Sequence, residues 1–332
     1  MVSLSQKTSS PRGAGALLLA AGRGTRLRPL TDVLAKPALP ILDLPLGAWG
    51  LDALERSSPP VVVNASHLAQ TVAAALAPST LDHGDVAVAA GPRLMLERPE
   101  PFGTGGTLRA LRHEVADRLV AWNSDSLTDL DLEALLEAHD KSEARATIAV
   151  VHSVDHGDFE TVGGRVTGII DRRRERCAGA RFMGVAVYER NALELLDDRV
   201  PLGATEGLLK PLLETGELHV FEHHGYWLDV GTPARYLDAN QDALEGGAPA
   251  PPRPWPGEVV DVVGGRAYVG PGADAEIDSL GPGAVLLAGS IVETRASVTR
   301  SVVWPGERVP AGTSLDRCIW FDGRALPTGA ES

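Results

Sequence analysis

A glycine-rich turn flanked by positive side chains is the first segment of this chain that could do chemistry. Residues 20–26 read AAGRGTR directly after an apolar run, and Lys36-Pro37 follows ten residues later. Backbone N–H groups in such a turn can approach phosphate oxygens closely, and Arg23, Arg26 and Lys36 supply three cations. The pattern favours a triphosphate site over a solvated basic loop. It is not a Walker A loop, because GK[ST] is missing, and it is not GxGxxG, because residue 27 is leucine.

Two carboxylates complement this turn. Asp125 and Asp229 each follow an apolar run, so we expect both at the carboxyl rim of a parallel sheet, where open α/β sheets bind ligands. Mg²⁺ takes few protein carboxylates and keeps positions for waters and phosphate oxygens, so a pair of aspartates suits it. Taken singly, Asp125 could cap a following helix and Asp229 could be a turn residue before Gly231. Together they predict a Mg²⁺ site.

Alternating strands and helices must position these residues. Up to about residue 245, short apolar runs alternate with helical patterns, which predicts an α/β fold with a doubly wound, Rossmann-like, mostly parallel sheet. The predicted strands are Ala16–Ala20, Pro60–Asn64, Val86–Ala90, Leu119–Trp122, Thr147–His152 and Met183–Tyr188. The predicted helices are Leu68–Leu76, Thr107–Val115 and Leu132–His139, the last with Asp131 near its start.

The composition changes after residue 245. Residues 246–257 form a Pro/Gly linker in which a helix cannot persist, and residues 258–325 follow a six-residue apolar period interrupted near Ala275 and Ser301. The period predicts a hexapeptide-like, left-handed parallel β-helix, with a small antiparallel β domain as the alternative. The period positions are Val263, Val269, Leu280, Leu286, Val292, Val298, Val303, Val309 and Leu315.

Net charge and hydropathy limit the classes of function that this chain could have. The 332 residues carry a net charge of −13, which argues against nucleic acid or an anionic membrane as the main partner. Residues 1–13 are polar and predicted to be disordered, without the apolar stretch of a secretory signal, and no apolar run reaches the ~20 residues needed to cross a bilayer. We therefore expect a cytoplasmic protein with residues 14–245 as its α/β domain, which the resemblance described next implies is the catalytic domain.

Five ordered segments resemble one known family. Leu17–Ile41, LLLAAGRGTRLRPLTDVLAKPALPI, resembles the signature of sugar-1-phosphate nucleotidyltransferases, the NDP-sugar pyrophosphorylases. PFGTGG, WNSDS, FMGVAVYE and GYWLDVGTPARYLDAN, which begin at residues 101, 122, 182 and 225, resemble further segments of that family in the same order. The resemblance covers residues 14–245, and the trailing β-helix also recurs in the family.

The resemblance implies roles for individual residues. It implies nucleotide binding by Leu19, Ala20, Ala21, Gly22, Gly24, Thr25, Gly103 and Thr104, sugar binding by Gly184 and Glu206, catalytic phosphate contacts by Arg26 and Lys36, and catalytic Mg²⁺ ligation by Asp125 and Asp229. The chain departs from the family at Asp171-Arg172, where many members carry E-K-P, with the lysine touching the sugar phosphate. It departs again at Ser124, where a glycine is common.

The implied partners are an NTP and a sugar 1-phosphate, joined to give an NDP-sugar and pyrophosphate. The GTGG loop and the tail resemble mannose-1-phosphate guanylyltransferases, so GTP with mannose 1-phosphate or a related sugar is our first expectation. UTP- or dTTP-dependent enzymes share most of the motifs, and some relatives bind nucleotide sugars without catalysis. We expect the β-helix to pack on the catalytic domain or to form a homodimer interface.

Overall fold

The computed structural model of the chain describes residues 14–77, 91–171 and 177–328. The segment 1–13, the predicted strand Val86–Ala90 and Arg172 lie outside the described residues. None of the helices in the described ranges is long and apolar enough to span a bilayer.

The described chain up to Glu245 contains thirteen strands and seven α-helices. The strands are β1 Ala16–Leu19, β2 Pro40–Ile41, β3 Leu44–Pro45, β4 Val61–Ala65, β5 Arg93–Leu96, β6 Arg118–Asn123, β7 Ser126–Thr128, β8 Ala146–Ser153, β9 Phe159–Val162, β10 Arg165–Ile169, β11 Gly179–Glu189, β12 Leu218–Glu222 and β13 Trp227–Asp229. The helices are α1 Ala48–Ser57, α2 Ala69–Leu76, α3 Gly103–Leu111, α4 Leu132–Ser142, α5 Arg190–Leu193, α6 Lys210–Glu214 and α7 Pro233–Glu245.

Nine of these strands form one sheet, in the order β5-β4-β1-β6-β11-β8-β12-β10-β9. Strands β5, β4, β1 and β6 are parallel, as is β8 with β12. Strand β11 runs antiparallel to both β6 and β8, so the sheet is mixed. The prediction of a mostly parallel sheet holds from β5 to β6 and is wrong from β11 to β9, where β8 and β12 form the one parallel pair of the described strands. A parallel connection needs a long crossover, usually a helix, whereas the chain between β8 and β11 forms the β9–β10 hairpin.

Helix starts depend on local side-chain chemistry. Helix α4 begins at Leu132 because the Asp131 carboxylate accepts a hydrogen bond from the N–H of Ala134 at 3.0 Å. Helix α3 begins at Gly103 rather than at Thr107, so the predicted PFGTGG loop supplies its first turn. A Cβ on Gly103, whose φ is +76°, would lie 2.6 Å from the carbonyl oxygen of Leu202. A glycine is therefore required for this turn to pack closely.

The C-terminal part is rich in short strands. They are β14 Glu258–Val262, β15 Gly265–Val269, β16 Val285–Leu286, β17 Ile291–Val292, β18 Ser297–Thr299, β19 Val302–Val303, β20 Arg308–Val309, β21 Ser314–Asp316, β22 Cys318–Phe321 and β23 Arg324–Pro327. Strands β15, β16, β19 and β22 pair in parallel, with successive partners 17 residues apart. The pairs β17–β20 and β18–β21 are also parallel with the same offset.

The 17-residue offset explains the interruptions in the six-residue period. The step is six residues from Leu286 to Val292 and from Val292 to Val298, but five from Val298 to Val303. Val303 pairs with Leu286 and therefore occupies the same ladder position one turn later. The period positions from Leu280 to Leu315 are all buried. Val263 is 94% exposed, so its assignment to the period was wrong. It lies in the turn of the antiparallel β14–β15 hairpin.

One apolar core joins the strand-rich module, residues 258–328, to the first part of the chain. Helix α7 lies between them, and the Tyr236 ring packs 6.1 Å from that of Trp304, which makes an edge-on contact with Phe321 at 5.2 Å. Leu30, Leu39 and Ile41 belong to the same cluster. The module therefore supports the segment that carries Lys36.

Partly buried hydrogen bonds to Asp43 strengthen this contact. Asp43 lies in the turn between β2 and β3, and its carboxylate accepts bonds from the Tyr268 hydroxyl and the Ala288 N–H, each at 3.0 Å. Burial raises the pKa of Asp43, and these two hydrogen bonds oppose the rise. Asp43 thus satisfies two groups of the module from the other side of the interface.

We predict that Asp43→Ala lowers the free energy of unfolding by about 1–3 kcal/mol, because it leaves the partly buried Tyr268 hydroxyl and Ala288 N–H without this acceptor. Urea unfolding followed by circular dichroism measures the change. Asp261→Ala, which removes an exposed carboxylate from β14, is the matched control. Equal stability of the two variants would contradict the role of Asp43.

Candidate active site

Asp125 and Asp229 meet through a two-stranded sheet that is separate from the main one. Asp125 lies in the turn between β6 and β7. Strand β7 pairs antiparallel with β13, which puts Asp229 opposite Ser126, and the N–H of Val230 donates to the carbonyl oxygen of Asp125 at 3.0 Å. Asp125 therefore follows a strand of the main sheet, as predicted. Asp229 instead ends a strand of the separate two-stranded sheet, and the pairing of β7 with β13 brings it next to Asp125.

The Lys36 side chain lies between these two carboxylates. Its Nζ forms an ion pair with Asp125 Oδ2 and lies 3.9 Å from Asp229 Oδ1. Burial raises the pKa of Asp229, and the charge of Asp125 adds to the rise. Lys36, Arg26 and Arg181 oppose it. The two carboxylates thus concentrate negative charge that nearby cations stabilise.

Short-range structure fixes the direction of Lys36. The residue begins a 3₁₀ helix, Lys36–Ala38, in which Pro37 restricts the backbone. The Ala35 N–H donates to Thr71 Oγ1 at 3.0 Å, and the Gly47 N–H donates to the carbonyl oxygen of Pro37 at 2.9 Å. Contacts on both sides therefore hold the lysine toward the carboxylates.

A cavity of about 250 Å³ lies on one side of Asp125. We call it the nucleotide compartment. The predicted nucleotide residues that line it are Leu19, Ala20, Ala21, Gly22, Gly103 and Thr104, together with Lys36. Gly24 and Thr25 are not among its lining residues, because Gly24, with φ +61°, precedes the 3₁₀ helix Thr25–Leu27 and its carbonyl accepts from Thr31 Oγ1.

Three buried polar side chains in this wall were missed by the sequence reasoning. Glu97 is 1% exposed, and its Oε1 accepts bonds from Asn64 Nδ2 at 2.8 Å and Thr107 Oγ1 at 2.5 Å. Its Oε2 accepts from the Phe102 N–H at 2.7 Å, and Asn64 Oδ1 accepts from the Ala20 N–H at 2.6 Å. The signal in the sequence was Glu97 itself, a charged residue directly after the short strand β5 and shortly before PFGTGG.

A larger cavity of about 850 Å³ lies on the other side of Asp125 and also contacts Asp229. We call it the acceptor compartment. It shares Leu19, Thr104, Asn123 and Asp125 with the nucleotide compartment. Gly184 lines it at φ +88°, where a side chain would clash with Ser126 and Asn123. Glu206 is not among its lining residues, because its carboxylate pairs with Lys210 at 2.6 Å while its neighbours Ala204 and Thr205 face the cavity.

Comparisons with known proteins agree with this geometry. The family model described as "Nucleotidyl transferase" matches residues 15–246. A mannose-1-phosphate guanylyltransferase of Mycobacterium tuberculosis is 27% identical over 95% of this chain and 81% of its own length. An N-acetylmuramate alpha-1-phosphate uridylyltransferase of Neisseria meningitidis is 29% identical over 68% of this chain and 96% of its own length.

A solved structure adds the fold. HddC from Yersinia pseudotuberculosis superposes with a TM-score of 0.56 at 22% identity, covering 69% of this chain and 98% of that one. The chain belongs to the nucleotidyl transferase family. Its recognition from the sequence as a sugar-1-phosphate nucleotidyltransferase is confirmed.

In this nucleotidyltransferase Arg26 lines the acceptor compartment together with Asp125 and Asp229. Its charge opposes the rise in the pKa of Asp229. It lies over Gly231, where an added Cβ would be 2.8 Å from Nη2. Gly231, the first residue of the Gly-Thr-Pro tripeptide at 231–233, therefore leaves space for the Arg26 side chain.

We predict that Gly231→Ala displaces Arg26 from the acceptor compartment and lowers kcat/KM for the sugar 1-phosphate by roughly tenfold, the equivalent of 1.4 kcal/mol. The fold should persist, because the clash is with the end of a flexible side chain. Steady-state pyrophosphate release measures the effect. Gly247→Ala, whose Cβ would meet only Asp242 O at 3.7 Å, is the control, and the same kcat/KM in both variants would refute the steric argument.

Proposed function

We propose that this protein transfers a nucleotidyl group from an NTP to a sugar 1-phosphate and releases pyrophosphate. The observation that carries the proposal is the position of Lys36, Asp125 and Asp229 at the boundary of two adjoining compartments. Each substrate can occupy one compartment, with the reacting groups meeting beside the three charged side chains. Reaction rate then depends on orientation and on neutralising charge.

The chemistry requires no general base. An oxygen of the sugar phosphate, already an anion at neutral pH, forms a bond to the α-phosphorus, and the bond from that phosphorus to the pyrophosphate oxygen breaks with its electron pair. Lys36 and Arg26 neutralise the phosphate oxygens as this occurs. The backbone N–H groups of Ala21 and Gly22 hold the nucleotide.

Asp125 and Asp229 are the residues that would hold Mg²⁺. They converge on one cation, Lys36, and the pKa of Asp229 is raised in part by the neighbouring carboxylate. The described residues contain no cluster of three or more His, Cys, Asp or Glu side chains suited to a metal, and Mg²⁺ commonly uses one or two carboxylates with substrate phosphates. Bound there, Mg²⁺ would neutralise developing charge on the phosphates.

We propose GTP as the nucleotide and mannose 1-phosphate or a related sugar as the acceptor. The Mycobacterium relative, which spans most of the chain, supports this choice. Glu97 supports it chemically, because a carboxylate offers about four acceptor sites and three are used within the protein. Guanine presents N–H donors at N1 and N2 to such an acceptor.

UTP- or dTTP-dependent transfer is the alternative, and the Neisseria uridylyltransferase shows that similar identity occurs with another base. A non-catalytic binding protein is the second alternative. Retention of Lys36, Asp125 and Asp229 in contact argues for catalysis.

We further propose that the strand-rich module is a short left-handed parallel β-helix, supported by parallel pairing at a constant 17-residue offset. The domain limits 14–245, 246–257 and 258–325, the homodimer through this module and the cytoplasmic location remain predictions from the sequence.

We predict that Lys36→Ala and Asp125→Ala each lower turnover by at least about a hundredfold, because each removes charge beside the reacting phosphates. Pyrophosphate release with Mg²⁺, each NTP and a sugar-phosphate panel measures the effect and identifies the substrates. Lys141→Ala, which removes a 77% exposed ammonium on α4, is the control. Pyrophosphate release at the wild-type rate by both site variants would contradict the assignment of Lys36 and Asp125 to the active site.

The base proposal has its own test in Glu97→Gln. We expect wild-type protein to prefer GTP over ITP, which lacks the 2-amino donor, and the variant to lose about tenfold of that preference. Glu100→Gln changes an exposed carboxylate three residues away and should keep the preference. An unchanged GTP/ITP ratio of kcat/KM in Glu97→Gln would exclude Glu97 as a reader of the base.

A further inference from the structure

Arg181 is a cation that lines the acceptor compartment, and the reaction proposed above assigns it no role. It lies on β11 and lines the cavity together with Asp229. In the chain as described, no carboxylate pairs with it, in contrast to Arg23 with Glu100 or Arg109 with Asp198. An arginine turned into a cavity with its N–H donors unused is available to a ligand.

An aromatic contact holds Arg181 in place. Its Cζ lies 5.0 Å from the ring centroid of Trp227, within the range of a cation–π interaction. The Trp227 indole N–H donates to the carbonyl oxygen of Met183 at 2.9 Å, which anchors the ring. A guanidinium over a ring face keeps its in-plane N–H donors free for oxygen atoms.

Strand β11 carries Arg181 in the wall of the acceptor compartment. Arg181 pairs with Val151 in the regular part of the β11–β8 ladder, before the register shift between Phe182 and Ala186. Arg181, Phe182 and Gly184 all line the compartment, and Gly184, with a φ of +88°, adds no side chain there. The guanidinium therefore lies in the wall of the cavity that the sugar would occupy.

Charge identifies the class of ligand. Asp125 and Asp229 line the compartment, and their negative charge would repel an entering phosphate dianion. The Arg181 charge opposes the rise in the pKa of Asp229, so the guanidinium is close enough to the paired carboxylates to stabilise their negative charge. Its fork of N–H donors matches two oxygens of a phosphate group.

We propose that Arg181 binds the phosphate of the sugar 1-phosphate and holds its attacking oxygen toward the Asp125–Asp229 pair. This inference rests on the proposed function. It makes Arg181 a substrate-binding residue for the acceptor and not for the nucleotide, since Arg181 lines the acceptor compartment and is not among the residues of the nucleotide compartment.

Calorimetric titration of wild type, Arg181→Ala and Arg181→Lys with mannose 1-phosphate, glucose 1-phosphate and GTP tests the inference. We expect Arg181→Ala to weaken binding of the sugar phosphate that wild type binds by at least about tenfold and to change GTP binding less than about twofold. Arg181→Lys should be intermediate, because it keeps a charge without the fork. In turnover assays KM for the sugar phosphate should rise while KM for GTP stays constant.

Arg165→Ala removes an exposed arginine from strand β10 of the same sheet and is the control for loss of one charge. Sugar-phosphate binding by Arg181→Ala within twofold of wild type would overturn the inference, as would equal losses for GTP and sugar phosphate, which indicate a structural role. If wild type binds neither sugar phosphate and releases no pyrophosphate with either, the proposed function fails. If wild type is active and Arg181→Ala keeps its KM, only the inference fails.

Discussion

The contact of the Lys36 ammonium with Asp125 and Asp229 is the interaction on which the rest of the site depends. Two carboxylates held together out of bulk water repel each other, and the raised pKa of Asp229 reflects that repulsion together with burial. Lys36 offsets it only from a fixed position, because a cation on a flexible loop would gain little from the pair. The pairing of β7 with β13 and the 3₁₀ helix of Lys36 supply that rigidity.

Rigidity at Lys36 depends in turn on the strand-rich module. The segment on both sides of Lys36 packs Leu30, Leu39 and Ile41 into the core that the module shares, and Asp43 accepts hydrogen bonds from two groups of the module. The Pro/Gly linker is part of this contact, since the Trp49 ring lies 6.0 Å from that of Trp255. The module thus supports the position of Lys36 through packing, and its loss should act on this lysine first.

The sequence predicted the parts of this site that depend on local chemistry. The glycine turn, Lys36-Pro37 and the aspartate after β6 could be read directly, because strand ends and turns have characteristic residues. The partner strand of Asp229, the Glu97 hydrogen bonds and the contact of Arg181 with Trp227 could not be predicted, since each depends on segments distant in the chain. The 17-residue offset was partly visible as a broken six-residue period, but only the ladder shows that the five-residue step recurs.

The two-compartment arrangement separates chemistry from substrate choice. Lys36 and Asp125 line the nucleotide compartment at its boundary with the acceptor compartment, where phosphates of either substrate can reach them. Glu97, directly after β5, lines only the nucleotide compartment, and Arg181, on β11, lines only the acceptor compartment. A substitution beside one compartment can therefore change the fit of one substrate while the paired carboxylates stay unchanged. Under the proposed function, such a separation would allow a guanylyltransferase and a uridylyltransferase to be similarly distant from one chain, because their substrate differences would be confined to the walls of the compartments.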